Sequence, residues 1–273
     1  MGNSLRSYGD QLKLIPFYSQ CLKATMDKNK NTHSAMTSLT QNRKKLVVQS
    51  NEITEAAYYL SLKAKRALWM CLSDIKRESG EHDGVFTVKV SDYQNLFGVS
   101  GPTASADLKT ALSEISRATV KFYPKEGDDE EVTRPWLAES ALKRGRGSYR
   151  VEFNPKLMPY IVGLTEKFTS FYLHECGKIN NARTIRLYES LCQFRSSGIW
   201  AVKPSWLADR YQLPQSQAEN FAEMKRSFIE PALNRINEHT PLNVSYKIDT
   251  EQGGKVGKVL FSIIDAKKLA AET

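Results

Sequence analysis

The sequence from residue 220 to residue 246, NFAEMKRSFIEPALNRINEHTPLNVSY, decides the predicted fold. Its first two thirds place apolar side chains at the spacing of one helix face. The apolar positions are Phe221, Met224, Phe228, Leu233 and Ile236. The opposite side carries Glu223, Arg226, Ser227, Glu230, Asn234 and Asn237. This pattern predicts a half-buried helix with a polar outer face, which Thr240 and Pro241 end.

A β-hairpin is predicted directly after this helix. Val244 and Tyr246 begin an alternating run, Gly253 and Gly254 provide a turn, and residues 259–263 form a second strand. Helix, strand, glycine turn and strand is the element order of a winged helix. That fold is a helix-turn-helix variant whose last helix can enter the major groove of DNA.

The same element order occurs earlier in the chain. The segment TVKVSDYQNLFGV at 87–99 resembles AVKPSWLADRYQL at 201–213. Further matches pair Leu187, Tyr188, Leu191 and Phe194 with Leu68, Trp69, Leu72 and Ile75, and Leu233, Ile236, Val244 and Tyr246 with Leu112, Ile115, Val120 and Phe122. A repeat of about 120 residues predicts an α+β protein with two tandem winged-helix domains related by internal duplication.

The repeat and the changes in composition predict five segments. These are a flexible, disordered N-terminal tail (1–43), a first winged-helix domain (44–155), a connector (156–180), a second winged-helix domain (181–266) and a C-terminal tail (267–273). Within the first domain, periodicity predicts helices at 54–59, 62–75 and 103–116, a short helix capped by Ser91, and strands at 85–90, 120–123, 134–142 and 149–153.

Several basic or small polar residues of the first domain are candidates for DNA contact. The helix at 103–116 turns Ser105 and Lys109 outward, which lets a helix approach DNA closely, although an ordinary amphipathic surface helix has the same pattern. The KRGRG turn is a candidate wing tip because its glycines permit a tight reversal and its cations can reach phosphates. The cations of that turn are Lys143, Arg144 and Arg146. Lys44 and Lys45 could lie along a phosphate backbone or belong to a solvated linker.

Composition narrows the class of protein. The chain has 273 residues, 41% of them hydrophobic, which is enough for two domain cores. Its formal net charge of +9 favours a polyanionic partner such as double-stranded DNA. The cysteines form no CxxC pair and have no histidine cluster beside them, which fits free thiols in a reducing cytoplasm and predicts no metal. These are Cys21, Cys71, Cys176 and Cys192. Neither a signal peptide nor a membrane-spanning segment is expected.

Four segments resemble the replication initiator (Rep) proteins of iteron-containing, F-type plasmids, the RepE-like family. They are VVQSNEITEAAYYLSLKAKRALWMCL (47–72), EKFTSFYLHECGKINN (166–181), RLYESLCQFRSSG (186–198) and RYQLPQS (210–216). The matching segments fall in order through both halves, and the resemblance covers about residues 46–264.

The resemblance implies a function and a set of partners. A member of this family has two winged-helix domains and binds short direct repeats, the iterons, at a plasmid origin as a monomer. Its dimer binds an inverted repeat in the promoter of its own gene and represses it. The implied partners are therefore origin and operator DNA, a second copy of the chain, the host initiator and replicative helicase, and host chaperones that convert dimer to monomer.

The resemblance also places the base-reading helix of the second domain in the stretch quoted first, with the family's arginine-rich run at residues 224–227. Helical geometry turns Arg226 outward, which favours it for a guanine edge, while Lys225 lies near the apolar side and is expected to contact phosphate or to extend along the core edge. Ser227 stands where a further arginine is expected. Pro231 should kink the helix near Ser227 or distort its pairing, which could redirect Asn234 and Arg235. Lys255, beside the second glycine turn, completes the DNA-binding candidates.

Enzymatic alternatives have little support in the sequence. A nicking initiator needs a tyrosine and a metal held by paired histidines, but the four histidines form no HxH pair, and Tyr58 and Tyr59 are expected to pack within an early helix. No GxxxxGK[ST] loop or convincing carboxylate pair is present. We therefore expect no catalytic residue, cofactor or small-molecule substrate. A dimeric transcriptional repressor without replication activity is the second hypothesis.

Overall fold

A computed structural model describes residues 45–75, 82–125, 127–143, 147–162, 164, 166–251 and 256–266. The first module contains β1 (Leu46–Ser50), α1 (Asn51–Glu55), α2 (Leu62–Asp74), β2 (Val85–Lys89), α3 (Val90–Phe97), α4 (Gly101–Ile115), β3 (Thr119–Phe122), β4 (Val132–Pro135), β5 (Leu137–Lys143) and β6 (Ser148–Phe153). A 3-10 helix (Pro155–Tyr160), β7 (Phe168–Tyr172) and α5 (Leu173–Cys176) follow. The predicted N-terminal tail, 1–43, and C-terminal tail, 267–273, lie outside the described residues.

The second module repeats the order of the first. It contains α6 (Ala182–Gln193), β8 (Ile199–Val202), α7 (Pro204–Arg210), α8 (Gln215–Glu219), α9 (Phe221–Met224), a π-helical turn (Lys225–Ile229), α10 (Glu230–His239), β9 (Leu242–Thr250) and β10 (Val256–Asp265). The segment from α9 through α10 is one continuous helix, which we term helix 221–239.

The two modules share one sheet topology. The strand order is β2-β6-β5 in the first module and β8-β10-β9 in the second, with antiparallel pairing throughout. In each module a short strand, β2 before α3 or β8 before α7, pairs with the last strand, which also pairs with the strand before it. The structure therefore has two tandem winged-helix modules, as the sequence repeat predicts.

One part of the predicted repeat is wrong. The sequence matches Val120 and Phe122 with Val244 and Tyr246, which would make β3 equivalent to β9. In the structure β3 pairs with β4 in a separate two-stranded sheet, and β5 is the strand that occupies the position of β9. The first module therefore has an additional hairpin between α4 and its wing. Alternating apolar residues are equally suited to either sheet, so the sequence pattern does not distinguish them.

Two local predictions also differ from the structure. The first helix covers Asn51–Glu55 and not 54–59, because Ser50 caps it by accepting a hydrogen bond from the Ile53 amide. Tyr58 and Tyr59 consequently lie beyond the helix. Ser91 is inside α3, where Lys89 holds the N-cap position without a side-chain cap.

A strand lies within the segment predicted as a connector. β7 (Phe168–Tyr172) pairs antiparallel with β1 (Leu46–Ser50), with Val47 opposite Phe171. This sheet joins the beginning of the first module to the chain that leads into the second. The segment 156–180 thus has a structural role in both halves.

The core is continuous between the modules and contains an unusual group of buried charges, which we term the central ion cluster. Glu189 of α6 accepts from Lys65 Nζ at 2.7 Å and from Trp69 Nε1 at 2.9 Å, and Arg186 Nη1 lies 3.2 Å from the second Glu189 oxygen. Arg186 Nη1 also donates to the Tyr58 hydroxyl at 2.5 Å, and its Nη2 donates to the Ala56 carbonyl at 2.8 Å. All five side chains of the cluster (Tyr58, Lys65, Trp69, Arg186 and Glu189) are buried.

The central ion cluster fixes how the modules pack. Two cations and one anion are removed from water, so each needs its partners to offset desolvation. The cluster favours this arrangement, because a shift of α2 against α6 would leave buried donors and acceptors without these partners.

The variant Glu189→Gln tests this role of the central ion cluster. It preserves side-chain shape but leaves Lys65 and Arg186 buried without a counter-charge. We expect the free energy of unfolding to fall by about 3–5 kcal/mol, measured by urea unfolding with circular dichroism. The control Glu131→Gln, which removes an exposed 2.9 Å ion pair with Lys121, should change it by less than about 1 kcal/mol. An equally small change for both variants would contradict the assigned role.

Candidate nucleic-acid interface

Helix 221–239 is built as the sequence predicts, with one face in the core and one in solvent. Asn220 begins it by accepting hydrogen bonds from the amides of Ala222 and Glu223, at 3.0 and 3.3 Å. The buried face consists of Met224, Phe228, Ile229, Ala232, Leu233 and Ile236. The helix packs on α6 and on β9, so its buried face is fixed against the core of the second module.

A π-helical turn interrupts helix 221–239 at Lys225–Ile229. The Glu230 amide donates to the Lys225 carbonyl, five residues earlier. Pro231 explains the turn, since it has no amide to pair with the Ser227 carbonyl and its ring would clash with that carbonyl in a regular α-helix. The predicted distortion of pairing near Ser227 is confirmed, and it falls on the residues predicted to contact DNA.

The candidate side chains of helix 221–239 differ in exposure. The Arg226 side chain is 77% exposed, and Ser227 and Asn234 are also exposed. Lys225 is 41% exposed, and its Nζ lies 3.6 Å from a Glu230 oxygen. The predicted geometry is therefore correct for these positions, with Arg226 outward and Lys225 closer to the apolar side. Their contact with DNA stays a prediction.

Glu223 is a residue that the sequence analysis left out of the site. Its Oε2 accepts from Arg226 Nη2 at 2.5 Å, and its Oε1 accepts from the Ser227 hydroxyl. Hydrogen bonds from Ser227 and then Arg226 lower the pKa of the Glu223 carboxyl, and Glu223 in turn raises the pKa of Arg226. The available signal was the spacing, because residues three and four apart on a helix are neighbours.

The first module presents an equivalent helix, α4. Ser100 caps it by accepting from the Thr103 amide, and its buried face consists of Ala104, Asp107, Leu108, Ala111, Leu112 and Ile115. Asp107 is paired with Lys63 at 2.7 Å. Ser105 and Lys109 are exposed, on the side opposite the core.

The remaining candidate DNA-binding residues are either paired with an acidic residue, at the end of a strand or outside the described residues. Lys45 is engaged by Asp74 at 3.0 Å, so a phosphate would have to displace that carboxylate. Lys143 is the last residue of β5, at the predicted wing of the first module. Lys44, Arg144, Arg146 and Lys255 lie outside the described residues. Both hairpins that would carry the wings, β5-β6 and β9-β10, are present.

The two adjacent tyrosines have structural surroundings. Tyr58 is buried in the central ion cluster, and Tyr59 stacks against the guanidinium of Arg183, 4.7 Å from its ring centre. Tyr58 packs in the core as predicted, whereas Tyr59 is 41% exposed, and neither lies within a helix. In the described ranges no three His, Cys, Asp or Glu side chains converge as metal ligands, and Cys71, Cys176 and Cys192 are buried free thiols. Among those same residues no helix has the length and apolarity needed to cross a bilayer.

These features define a class of protein: a tandem winged-helix protein that presents an exposed polar helix face from each module. Two family models match the chain, one after the other. The model for Initiator Replication protein, WH1, matches residues 46–192, and the model for Initiator Rep protein, WH2, matches residues 205–263. The chain belongs to this family of replication initiator proteins.

Several individual proteins are similar to this chain. An "Uncharacterized 27.6 kDa protein" of Escherichia coli is 53% identical over 234 residues, which cover 82% of this chain and 96% of that protein. The "PI protein" of Escherichia coli is 21% identical, covering 82% of this chain and 84% of its own length. The crystal structure of Pi initiator protein in complex with iteron DNA has a TM-score of 0.67 at 19% identity, covering 81% of this chain and 98% of that chain. This last similarity concerns the fold alone.

Pro231→Ala tests the cause of the π-helical turn. The new amide can pair with the Ser227 carbonyl, so we expect the turn to become α-helical and the free energy of unfolding to rise by about 1–2 kcal/mol. Urea unfolding measures the gain. Pro204→Ala is the matched control, because Pro204 occupies the first turn of α7, where proline is tolerated and its loss brings no gain. If Pro231→Ala stabilises no more than Pro204→Ala, proline is not the cause.

Proposed function

We propose that this protein initiates plasmid replication by binding tandem iteron repeats at an origin through both winged-helix modules. The observation that carries the proposal is the presence of two such modules, each with an exposed polar helix face, in a chain whose two halves match the two initiator family models. In this proposal the second module (181–266) reads bases and the first (44–155) contacts the backbone and forms the dimer, with 156–180 between them.

The chemistry of the exposed helices suits this division. An arginine can donate two parallel hydrogen bonds to the guanine O6 and N7 atoms, so Arg226 is proposed to read a base edge. Ser105 and Lys109 suit contact with the sugar-phosphate backbone. The serine side chain is small enough for close approach, and the lysine ends in a single mobile cation. The excess of nine positive charges adds a long-range attraction that depends on salt.

Binding energy would then be used to remodel the origin. Several bound copies can bend DNA, and flexible AT-rich steps open at the lowest cost. We propose that the protein performs no bond-making step of its own and that the host initiator and replicative helicase carry out the enzymology. The solved structure of Pi initiator protein in complex with iteron DNA is the similar protein whose title supports DNA binding at iterons.

We also propose a monomer–dimer division of labour. A monomer would bind single iterons, and a dimer would bind an inverted repeat in the promoter of its own gene and repress it, with host chaperones restoring monomer. The proposed dimer uses the sheet region of the first module, whose packing on the second module would then change. Such a change has to involve the central ion cluster, because that cluster joins α2 to α6.

Substitutions in the two modules should have different effects on DNA binding. Arg226→Ala should weaken binding to the cognate repeat by about 1–3 kcal/mol and relax base preference at one position. Lys109→Ala should weaken binding uniformly across sequences and reduce the salt slope by about 1. Fluorescence anisotropy over a salt series, on a repeat identified by footprinting the DNA beside the gene, measures both effects.

Lys125→Ala is the control for these substitutions. It also removes one exposed lysine, but from a loop that carries Asp128, Asp129, Glu130 and Glu131, which would repel phosphates. We expect its affinity and salt slope to match those of the unmodified protein. Unchanged base selectivity in Arg226→Ala would show that another side chain reads the base.

Oligomeric state on DNA tests the division of labour. Equilibrium sedimentation should show one protein on a single-repeat duplex and two on an inverted repeat. A single stoichiometry on both duplexes would contradict the proposed exchange. A dimer that binds the inverted repeat yet cannot replicate a plasmid lacking its own initiator gene would favour the repressor hypothesis.

A further inference from the structure

The exposed face of helix 221–239 contains a carboxylate where a DNA-binding surface would be expected to have none. Glu223 lies one turn before Arg226 and uses both of its oxygens, one for the Arg226 guanidinium at 2.5 Å and one for the Ser227 hydroxyl. Arg226 is 77% exposed whereas Glu223 is 27% exposed. The largely exposed guanidinium of Arg226 is therefore held by an acidic neighbour.

The position of Glu223 is fixed by the fold. Asn220 accepts a hydrogen bond from its amide, and the next residue, Met224, is buried in the core. The π-helical turn begins at Lys225, immediately after this anchored segment. Arg226 and Ser227 therefore lie on the distorted part of the helix, and both side chains bind to the Glu223 carboxylate, whose position is fixed.

A carboxylate beside an arginine changes which DNA atoms that arginine can approach. A phosphate is negative, so bringing it to Arg226 also brings it towards Glu223, and the like charges repel. A guanine edge offers neutral acceptors, and a guanidinium has five N–H donors in a fixed fork. Glu223 engages Nη2 and leaves further donors of the fork for O6 and N7.

We infer that Glu223 is a specificity-determining positioning residue, which holds Arg226 for a guanine edge and discourages its use on phosphates. Pre-orientation also reduces the side-chain freedom that Arg226 loses on binding. The lowered pKa of the Glu223 carboxyl supports this role, because the group stays charged. The inference rests on the proposed reading of DNA by Arg226.

The test compares Glu223→Gln with Arg226→Ala and with the double variant, in the full chain. The probes are the footprinted repeat and a scrambled duplex of equal length and composition. Glu223→Gln removes the charge but keeps the shape. We expect the affinity for scrambled DNA to rise about 2- to 5-fold more than the affinity for the repeat. The specificity ratio, which is the affinity for the repeat divided by the affinity for scrambled DNA, falls by the same factor. In the Arg226→Ala background this selective effect should disappear.

Glu219→Gln is the matched control. Glu219 is an exposed carboxylate at the end of α8, four residues before Glu223, where it accepts from Gln215 Nε2 at 2.7 Å. Glu219→Gln changes the net charge by the same amount as Glu223→Gln. We expect the affinities for the repeat and for the scrambled duplex to rise by the same small factor. Circular dichroism and urea unfolding should show all of these variants to be folded, since the replaced side chains lie on the outer face.

The outcomes separate the inference from the function on which it rests. If Glu223→Gln alters both duplexes equally, or if its selective effect persists without Arg226, the inference is overturned. Persistence would instead indicate that Glu223 itself accepts from a cytosine amino group. If Arg226→Ala leaves the affinity and selectivity for the repeat unchanged, the proposed reading residue is wrong, whatever the Glu223 variants show.

Discussion

A buried ion pair between two halves of one chain constrains the rest of this structure. Lys65 and Glu189 are fully buried at 2.7 Å, and Arg186 extends the pair to the backbone of the first module through the Thr54 and Ala56 carbonyls. Such a cluster contributes little net stability compared with apolar packing, but it tolerates few alternatives. The relative placement of α4 and helix 221–239, and hence of their outer faces, follows from this connection.

Most of the helices could be predicted from the local spacing of apolar residues in the sequence. Apolar spacing located α2, α4 and helix 221–239 within a few residues, because each helix buries one face and exposes the other. It could not assign strand partners: β1 pairs with β7 across more than a hundred residues, and β3 resembles β9 in composition yet belongs to another sheet. Strand pairing depends on which strand edges and apolar surfaces the rest of the chain leaves available, and the sequence of a single segment does not contain that information.

The candidate site was predictable to the extent that it depends on helical geometry. Arg226 points outward and Pro231 disturbs the pairing, as expected from side-chain angle and a missing amide. The charged interior was not predictable, since Lys65 and Arg186 look like ordinary surface cations in a helical sequence. Their burial follows from the contact of α2 with α6, which brings a single carboxylate within reach of both. Glu223 was also missed, because acidic residues on a polar face usually need no explanation.

Within the described residues, three buried thiols can report on local opening of the structure. Burial raises the pKa of Cys192 to about 12, and it raises the pKa values of Cys71 and Cys176 as well, so almost no thiolate is present at neutral pH. Cys192 is buried on α6, one turn after Glu189. Alkylating reagents can reach it only when the packing around α6 opens, so its rate of modification records how often this part of the core opens in solution.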